Sequence, residues 1–317
     1  MRKKMQLFKN SNLKYWGIIP LCFCFFYVGT CVHHNDPSVL VFPGANSRDT
    51  YFTMHNIREA QAISQGKGCK IGILDHSFGM ANHPELYAGG KNFVEDSDEF
   101  LIKREWHGYW MAVTLREIAP QAEIYALNTH SFKSPTSNAK AIARAIDWAI
   151  ENHLSVLTYS HAAINGDQRK ILDSALDRAH KAGIVTTFIH TGHPGNILPS
   201  GLWSGSDDGR EPDVNVLHYD YTVVKVHWKE NKVPIKNPFY SNSSMSPVVG
   251  GVVALMKSLR PDLSPEDCQK IIRETSHPIN YRGETPPRVL DALAAIKYVK
   301  EIRIQPKNLY TNTMQSK

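Results

Sequence analysis

Residues 71–75 (IGILD), 107–108 (HG) and 243–251 (SSMSPVVGG) are the three segments that decide the fold of this chain. In the first, an apolar run typical of a buried strand ends at Asp75. The other two open stretches with helical periodicity, and they begin with His107 and with serines. Open α/β sheets bind ligands at the carboxyl ends of their strands. The pattern therefore predicts that an acid, an imidazole and a hydroxyl meet at one edge of a sheet.

Short runs rich in Val, Ile and Leu alternate with helical patterns along the chain. Strands are predicted at residues 69–74, 123–127, 155–159, 184–189 and 214–218. Helices are predicted at residues 55–63, 108–118, 139–151, 168–182, 245–259, 264–274 and 289–300. Apolar strands of this kind belong to a sheet that is covered on both faces. The alternation predicts an α/β fold: a doubly wound, mainly parallel sheet flanked by helices in three layers.

In order and approximate spacing, these segments resemble the subtilisin-like (subtilase) serine proteases. The family has an aspartate at a strand end, a His-Gly pair that opens a helix, and Ser-x-x-x-Pro-x-Val-x-Gly opening a later one. Further text typical of the family stands at residues 83–86 (HPEL), 90–94 (GKNFV) and 119–122 (APQA). The resemblance covers roughly residues 50–300. It implies a serine endopeptidase that hydrolyses peptide bonds through an acyl-enzyme intermediate.

The resemblance assigns one catalytic role to each of three residues. Asp75 is the orienter of the imidazole, His107 is the general base and a serine is the nucleophile, because a serine hydroxyl needs an adjacent base to lose its proton. Counting back four residues from Pro247 without a gap gives Ser243 as the nucleophile. Counting from the methionine instead gives Ser244, which is the fallback.

The donor that stabilises the oxyanion has three candidates. The family presents an asparagine amide after a buried strand, in an Ala-Ala-Gly-Asn-like turn. The register puts His193 at that position, whereas Asn196 requires a turn that is three residues longer. Asn242, beside the nucleophile, is the third candidate. One such donor contributes about 3–4 kcal/mol to stabilisation of the transition state.

Two strand ends depart from the family pattern. His76 and Ser77 stand where a small hydroxyl residue and glycine usually follow the aspartate, and the missing glycine is expected to alter the turn. Residues 160–162 (SHA) stand where the family often has Ser-Leu-Gly. This segment is expected to bind a peptide or protein substrate as an extended strand, by β-augmentation.

Two other functions remain open. One is a catalytically inactive homologue that keeps the cleft as a peptide- or protein-binding module. The other is a metal-dependent hydrolase, because histidines at presumed strand ends could join Asp75 as zinc ligands. These histidines are His76, His107, His161, His190 and His193. The sequence has no His-Glu-x-x-His run, and we expect neither a metal nor a cofactor.

The N-terminal region has the composition of a targeting segment. Residues 1–31 join a basic start to an uncharged apolar run, which indicates an export signal or membrane anchor. The run ends in a loose lipoprotein pattern, so Cys31 is a candidate for lipidation. Residues 32–50 are predicted to be a tether, residues 51–303 the catalytic domain and residues 304–317 a C-terminal tail. We expect an exported protein of the bacterial envelope that is bound to the membrane through this anchor or lipid, or else secreted.

The charge and the cysteine content bear on a nucleic-acid partner and on a disulfide bond. The net charge of +6 is modest, and the Lys and Arg residues are scattered rather than concentrated in a basic stripe. We therefore expect no nucleic-acid partner. Cys69 and Cys268 are the cysteines of the predicted domain, and they either pair or remain buried thiols. The acidic runs are typical of solvated loops, and we expect no calcium site.

Overall fold

The computed structural model describes residues 40–42, 52–94, 97–131, 133, 138–201, 209–217, 242–281 and 287–302. The chain divides into two compact units, Met1–Asp36 and Pro37–Lys317, and every described residue lies in the second. The predicted export signal, the candidate Cys31 and the predicted tail therefore fall outside the described residues. Among the helices that are described, none has the length and apolar character needed to cross a membrane.

Strands and helices alternate through most of the described chain. The strands are β1 (Leu40–Phe42), β2 (Lys70–Asp75), β3 (Gly89–Asn92), β4 (Glu123–Asn128), β5 (Val156–Tyr159), β6 (Val185–Phe188), β7 (Pro199–Ser200), β8 (Val214–Asn215) and β9 (Ile279–Tyr281). The helices are α1 (Ile57–Gln61), α2 (Glu99–Ile102), α3 (His107–Ile118), α4 (Ala139–Glu151), α5 (Asp167–Lys181), α6 (Met245–Leu259), α7 (Pro265–Thr275) and α8 (Ala292–Glu301). Short 3-10 turns lie at Pro84–Leu86 and Asn242–Ser244.

Five parallel strands form the main sheet, in the order β3-β4-β2-β5-β6. Strand β2 is central, and its last residue, Asp75, pairs with Asn128 at the end of β4. On the other side, Leu74 pairs with Tyr159 at the end of β5. Helices pack on both faces of this sheet, so the predicted three-layer α/β fold is confirmed.

The two faces of the sheet bury two separate hydrophobic clusters. Ile71 and Ile73 of β2 belong to the cluster that includes residues of α3, α6, α7 and α8. Leu74 points the other way, into the cluster formed with α4 and α5. Because successive side chains of a strand alternate between faces, Asp75 shares the side of Ile71 and Ile73. The alternation therefore directs this carboxylate toward the layer that contains α3 and α6.

Helix α6 is buried from Met245 to Lys257 and packs closely on the sheet. A Cβ atom at Gly250 would lie 2.6 Å from Cγ2 of Thr158 in β5, so the glycine permits this approach. Near the start of the helix, the Ser246 hydroxyl accepts a hydrogen bond from the backbone N–H of Tyr159, at 3.0 Å. These contacts fix the beginning of α6 beside the carboxyl end of β5.

Three elements differ from the sequence-based expectation. Strand β3 has the sequence GGKN, whose lack of apolar alternation gave no strand signal, yet it forms an edge of the main sheet. The strand predicted at residues 214–218 is short, and β8 pairs with β7 in a separate sheet; residue 218 lies outside the described residues. Within the predicted tether, β1 pairs in parallel with β9.

Cys69 and Cys268 are both free thiols and both are buried. Of the two possibilities left open by the sequence, the unpaired one is therefore observed. Burial raises the pKa of each thiol to about 12. Both side chains consequently stay neutral and act as small apolar groups in the core.

Candidate active site

Asp75 ends the central strand and is completely buried, and its carboxylate receives hydrogen bonds from three groups. The backbone N–H of His76 lies 2.7 Å from Oδ1. Nδ1 of His107 lies 2.9 Å from Oδ1 and 2.8 Å from Oδ2, and Nε2 of His161 lies 2.9 Å from Oδ1. A buried charge is stable only when it is paired and hydrogen-bonded. The site meets that requirement with two imidazoles on one carboxylate.

His107 is the first residue of α3, and the turn after β2 sets its position. The backbone N–H of Gly108 donates to the carbonyl of His76 at 2.7 Å, and a Cβ at this glycine would lie 2.5 Å from that oxygen. Ser77 adopts a left-handed conformation with φ 59, and its carbonyl accepts the N–H of Trp106 at 2.8 Å. Ser77 thus adopts a backbone conformation that favours glycine, at the position where the family pattern has a glycine and this sequence does not.

The electrostatics of the Asp75–His107 pair favour a charged acid beside a basic imidazole. Burial acts to raise the pKa of Asp75, but the charges of His107 and His161 and their hydrogen bonds hold this pKa well below its usual value. Burial acts to lower the pKa of His107, and the charge and hydrogen bond of Asp75 outweigh it, so this pKa is raised above 6.5. With Asp75 ionised, the hydrogen-bond network assigns the proton of neutral His107 to Nδ1. Its Nε2 is then the atom that can accept a proton.

The two candidate nucleophiles lie in the turn that leads into α6. Ser243 is half-buried, and its hydroxyl donates to the backbone carbonyl of Ser160 at 3.2 Å. Ser244 is buried, with 3% of its surface exposed. Within the described part of the chain, no hydrogen bond joins the Ser243 hydroxyl to His107. The choice of Ser243 over Ser244 remains a prediction, and Ser243 is the more accessible of the two.

Histidines crowd the carboxyl ends of the central strands around Asp75. The ring centroid of His161 lies 4.5 Å from that of His107 and 4.2 Å from that of His130. His76 lies 5.0 Å from His130 and 5.2 Å from His161. The sequence pointed to the other three rings but missed His130. It follows β4 as His76 follows β2, and because adjacent parallel strands end at one edge, that placement was the available signal.

Two of these imidazoles are strongly desolvated. Burial lowers the pKa of His76 to about 4, although the charge of Asp75 partly opposes it. Burial also lowers the pKa of His130 to about 3, with the repulsion of His161 as a further cause. The Nε2 atom of His130 is buried and has no hydrogen-bond partner. Both rings are therefore neutral at neutral pH.

Comparisons with known proteins give one relative by sequence and several by fold. No protein-family model matches the chain. The chain is 26% identical over 232 residues to a thermostable alkaline protease of Halalkalibacterium halodurans, which covers 67% of this chain and 63% of that protein. The chain thus spans slightly less than two thirds of the length of its curated relative.

Solved structures of proteases superpose on most of the chain. MycP1, described as a serine protease of the type VII (ESX-1) secretion system, matches with a TM-score of 0.59 at 17% identity, covering 81% of this chain and 91% of that one. A protease of Pseudoalteromonas arctica gives 0.60 at 15% identity, with 81% and 100% covered. A cold-adapted subtilisin-like serine proteinase gives 0.55 at 17% identity, with 73% and 90% covered.

This chain has a subtilisin-like fold. The resemblance expected from the three segments is confirmed by the sequence relative and by the shared fold. Asp75 and His107, the predicted acid and base, are in contact.

Asn196, one candidate oxyanion donor, is used in bracing the turn of this subtilisin-like domain that follows β6. Its Oδ1 accepts the backbone N–H of Phe188 at 2.8 Å. Its Nδ2 donates to the carbonyls of Phe188 and Thr191, both at 2.9 Å. Since both amide hydrogens are engaged in this fully buried position, neither is directed to an oxyanion.

His193 also contacts a different part of the molecule from Ser243. Its Nε2 lies 3.1 Å from Oδ1 of Asp177 in α5, on the face of the sheet opposite α6. His190, in the same turn, adopts a left-handed conformation with φ 57. The third candidate, Asn242, has no described side chain.

Of the groups named as potential zinc ligands, three come together. Ligand atoms of Asp75, His76 and His161 all lie within 4.8 Å of one another. His193 is held by α5 instead. These three side chains therefore form one compact group of nitrogen and oxygen donors, and the candidate catalytic acid is a member of it.

Proposed function

We propose that this chain is a serine endopeptidase that hydrolyses peptide bonds through an acyl-enzyme intermediate. One observation carries the proposal: Nδ1 of His107 contacts both oxygens of the fully buried carboxylate of Asp75. The helix that begins at His107 also contacts the turn Asn242–Ser244. An oriented base therefore lies near an accessible hydroxyl at the start of a long buried helix, as acyl transfer requires.

In the proposed reaction, Oγ of Ser243 attacks the carbonyl carbon of the scissile peptide bond. Nε2 of His107 takes the hydroxyl proton and passes it to the leaving amine, and the same base then activates the water that hydrolyses the acyl-enzyme. Asp75 holds the imidazole and stabilises its cation. For the attack, the Ser243 hydroxyl turns from the carbonyl of Ser160 toward His107; catalytic hydrogen bonds often form only in the presence of substrate.

The proposed oxyanion donors are the groups at the start of α6. The backbone N–H of Ser243 lies at the amino end of this 15-residue helix, where unpaired N–H groups and the helix dipole favour negative charge. Asn242 is the proposed side-chain donor because it adjoins Ser243, while the amide of Asn196 braces its own turn and His193 contacts α5 through Nε2. We expect this hole to be weaker than one built on a free asparagine amide.

The proposed substrate is a peptide or protein segment that binds in extended form beside residues 160–162, at the end of β5. The support for this mode is the exposure of Ala162, three residues after the end of β5. We further propose that the protein is exported, with residues 1–31 as the signal and Cys31 or the apolar run as the attachment to a membrane. MycP1, a structural neighbour, is itself described as part of a secretion system.

A second candidate function is a catalytically inactive module that binds peptides. The observation in its favour is the bond from the Ser243 hydroxyl to Ser160, which directs the nucleophile away from His107. Sharing of Asp75 between His107 and His161 points the same way, because it divides one carboxylate between two imidazoles.

Hydrolysis of a mixed fluorogenic peptide library by the full chain tests the proposal. We expect turnover by the wild type, a loss of about 10⁴-fold or more in His107→Ala and Ser243→Ala, and less than tenfold change in Ser244→Ala. A folded wild type that binds library peptides without cleaving them, with the same affinity in Ser243→Ala, would instead establish the binding module.

A further inference from the structure

The candidate catalytic acid is also the centre of a group of potential metal ligands. We propose that Asp75, His76 and His161 bind one divalent metal ion of the zinc class, and that this ion switches the catalytic pair off. The ligand atoms of the three side chains lie within 4.8 Å of one another. In a tetrahedral zinc site, ligand atoms are about 3–3.5 Å apart, so side-chain shifts of about 1 Å close the group around an ion.

The donor set fits zinc by its chemistry. A set of two imidazole nitrogens and one carboxylate oxygen suits Zn²⁺. It suits Mg²⁺ and Ca²⁺ less well, because these ions take oxygen donors. The side chain of His161 is 16% exposed and His76 is half-buried, so an ion can enter from solvent, whereas Asp75 is completely buried. The site therefore combines an anchored acid with two reachable imidazoles.

His130 lies beside these three ligands but is outside the group whose ligand atoms lie within 4.8 Å of one another. Its ring lies 4.2 Å from that of His161 and 5.0 Å from that of His76. Its Nε2 is buried and has no hydrogen-bond partner, and His130 as a whole is only 1% exposed. Buried polar atoms are normally paired, so this unpaired nitrogen next to two ligand rings marks the cluster as one that lacks a polar partner.

Metal binding changes the bonds at Asp75. In the metal-free protein the N–H at Nε2 of His161 donates to Oδ1 of Asp75 at 2.9 Å. The ion takes the place of that proton: the neutral ring changes tautomer and carries its proton on Nδ1, and the ion forms bonds to Nε2 and to the carboxylate. Asp75 then carries a divalent cation, which lowers its negative charge and withdraws an oxygen from His107.

The consequence for catalysis rests on the proposed function. His107 depends on Asp75 for its orientation and for stabilisation of its cation. An ion on this carboxylate disfavours the imidazolium by repulsion across the 4.5 Å between the rings of His107 and His161. The metal is thus an inhibitor and not the reagent of a metal-dependent hydrolase, and the proposal departs from the expectation that the chain binds no metal.

Metal titration of the purified full chain tests the site without reference to activity. Zn²⁺ is titrated in competition with a chromophoric chelator, and Co²⁺ is followed by its visible absorption. We expect one equivalent in the wild type, an increase in Kd of at least about 100-fold in His76→Ala and in His161→Ala, and no change in His153→Asn, which alters an exposed histidine outside the cluster. No stoichiometric binding, or wild-type Kd in both alanine variants, would overturn the site.

Two further measurements keep the outcome decisive. Circular dichroism shows whether each variant is folded. If one is not, the ¹⁵N shifts of the His76 and His161 rings in the wild type must change on addition of Zn²⁺.

Labelling of the wild type by a fluorophosphonate is then measured with saturating Zn²⁺ and again after chelation. We expect labelling to disappear and return, and labelling that persists in the metal-loaded protein would refute the switch. If the metal-free chain does not label at all, the proposed function and the switch are both wrong, while the titration still decides the site.

Discussion

Among single residues, Asp75 is the one whose carboxylate accepts hydrogen bonds from most of the other groups of the site. It orients His107, accepts from His161 and receives the backbone N–H of His76. A carboxylate can accept all of these bonds because it has about four lone-pair positions, whereas an amide has half as many and adds two donors.

The variant Asp75→Asn removes this capacity with little change in shape. We expect kcat on a fluorogenic peptide to fall by about 10⁴-fold, because an amide fixes the wrong tautomer of His107. Asp177→Asn is the matched control: it also removes a carboxylate from a histidine, His193, but it lies on α5. A kcat within tenfold of wild type for Asp75→Asn would contradict the assigned role.

The raised pKa of His107 predicts an alkaline rise in activity. Asp75 stabilises the imidazolium, so the neutral base needed for attack appears only above the ordinary histidine value of 6.5. We expect kcat/KM to increase with pH through an apparent pKa above 6.5. The same titration is followed by NMR of the His107 ring in Ser243→Ala, and a midpoint below 6.5 in both measurements would show that burial outweighs Asp75.

At the scale of elements, the position of Ser243 depends on how closely α6 approaches β5. The helix lies on the sheet at Gly250, where no side chain separates it from Thr158. Helix α3 approaches the turn after β2 in the same way at Gly108. Gly108 and Gly250 therefore allow the close approach of the elements that carry the predicted acid, base and hydroxyl.

The variant Gly250→Ala tests this packing, because close packing and helix propensity predict opposite changes in the free energy of unfolding. Alanine is favoured over glycine within a helix by about 1 kcal/mol, but the added methyl would lie 2.6 Å from Cγ2 of Thr158. We expect a net loss of about 1–3 kcal/mol in the free energy of unfolding by urea, with lower activity. The double variant with Thr158→Ser removes the clashing methyl and should regain part of the loss. Stabilisation by Gly250→Ala alone would show that the helix is less closely packed.

At the scale of the whole molecule, buried neutral histidines set the response of stability to acid. Burial lowers the pKa of His76 and His180 to about 4 and of His130 to about 3, and it lowers that of His55 as well. Such groups bind protons in the unfolded chain before they do so in the folded one. Their stabilisation is complete above pH 6.5 and is lost as the pH falls toward 4. His107 acts in the opposite sense, since its raised pKa favours the folded state below pH 6.5.

The expected result is a protein that loses stability between pH 7 and pH 5. The free energy of unfolding by urea should fall by roughly 1 kcal/mol or more over this range, since four depressed groups outnumber the raised one. His130→Gln should make the decrease shallower, while His153→Asn, at an exposed position, serves as control. A stability that rises on acidification would mean that these rings are charged in the folded state.

The sequence was sufficient for the features that local pattern determines. The apolar run ending at Asp75 gave the central strand, and His107 followed by glycine gave the start of α3, because both depend on neighbours along the chain. Strand β3 was missed because an edge strand made of GGKN has no apolar face to detect. The assignment of His193 as an oxyanion donor stays a prediction, and its contact with Asp177 depends on a helix that local pattern does not place beside it.

The remaining features depend on distant contacts. His130 joins the cluster only because β4 pairs with β2, and the second hydrogen bond on Asp75 arises because His161 follows the strand on the other side. The direction of the Ser243 hydroxyl is set by a carbonyl 83 residues away in the chain. Strand ends can be located from sequence, but which side chains bond to one another there is determined by the packed sheet.

Identification of the serine that reacts with a fluorophosphonate is the most direct test of the catalytic account. The full metal-free chain is labelled, digested and analysed by mass spectrometry, with Ser243→Ala and Ser244→Ala alongside. We expect one modified residue, Ser243, with labelling abolished in Ser243→Ala and retained in Ser244→Ala. A folded wild type that takes no label, or a label on Ser244, would contradict it.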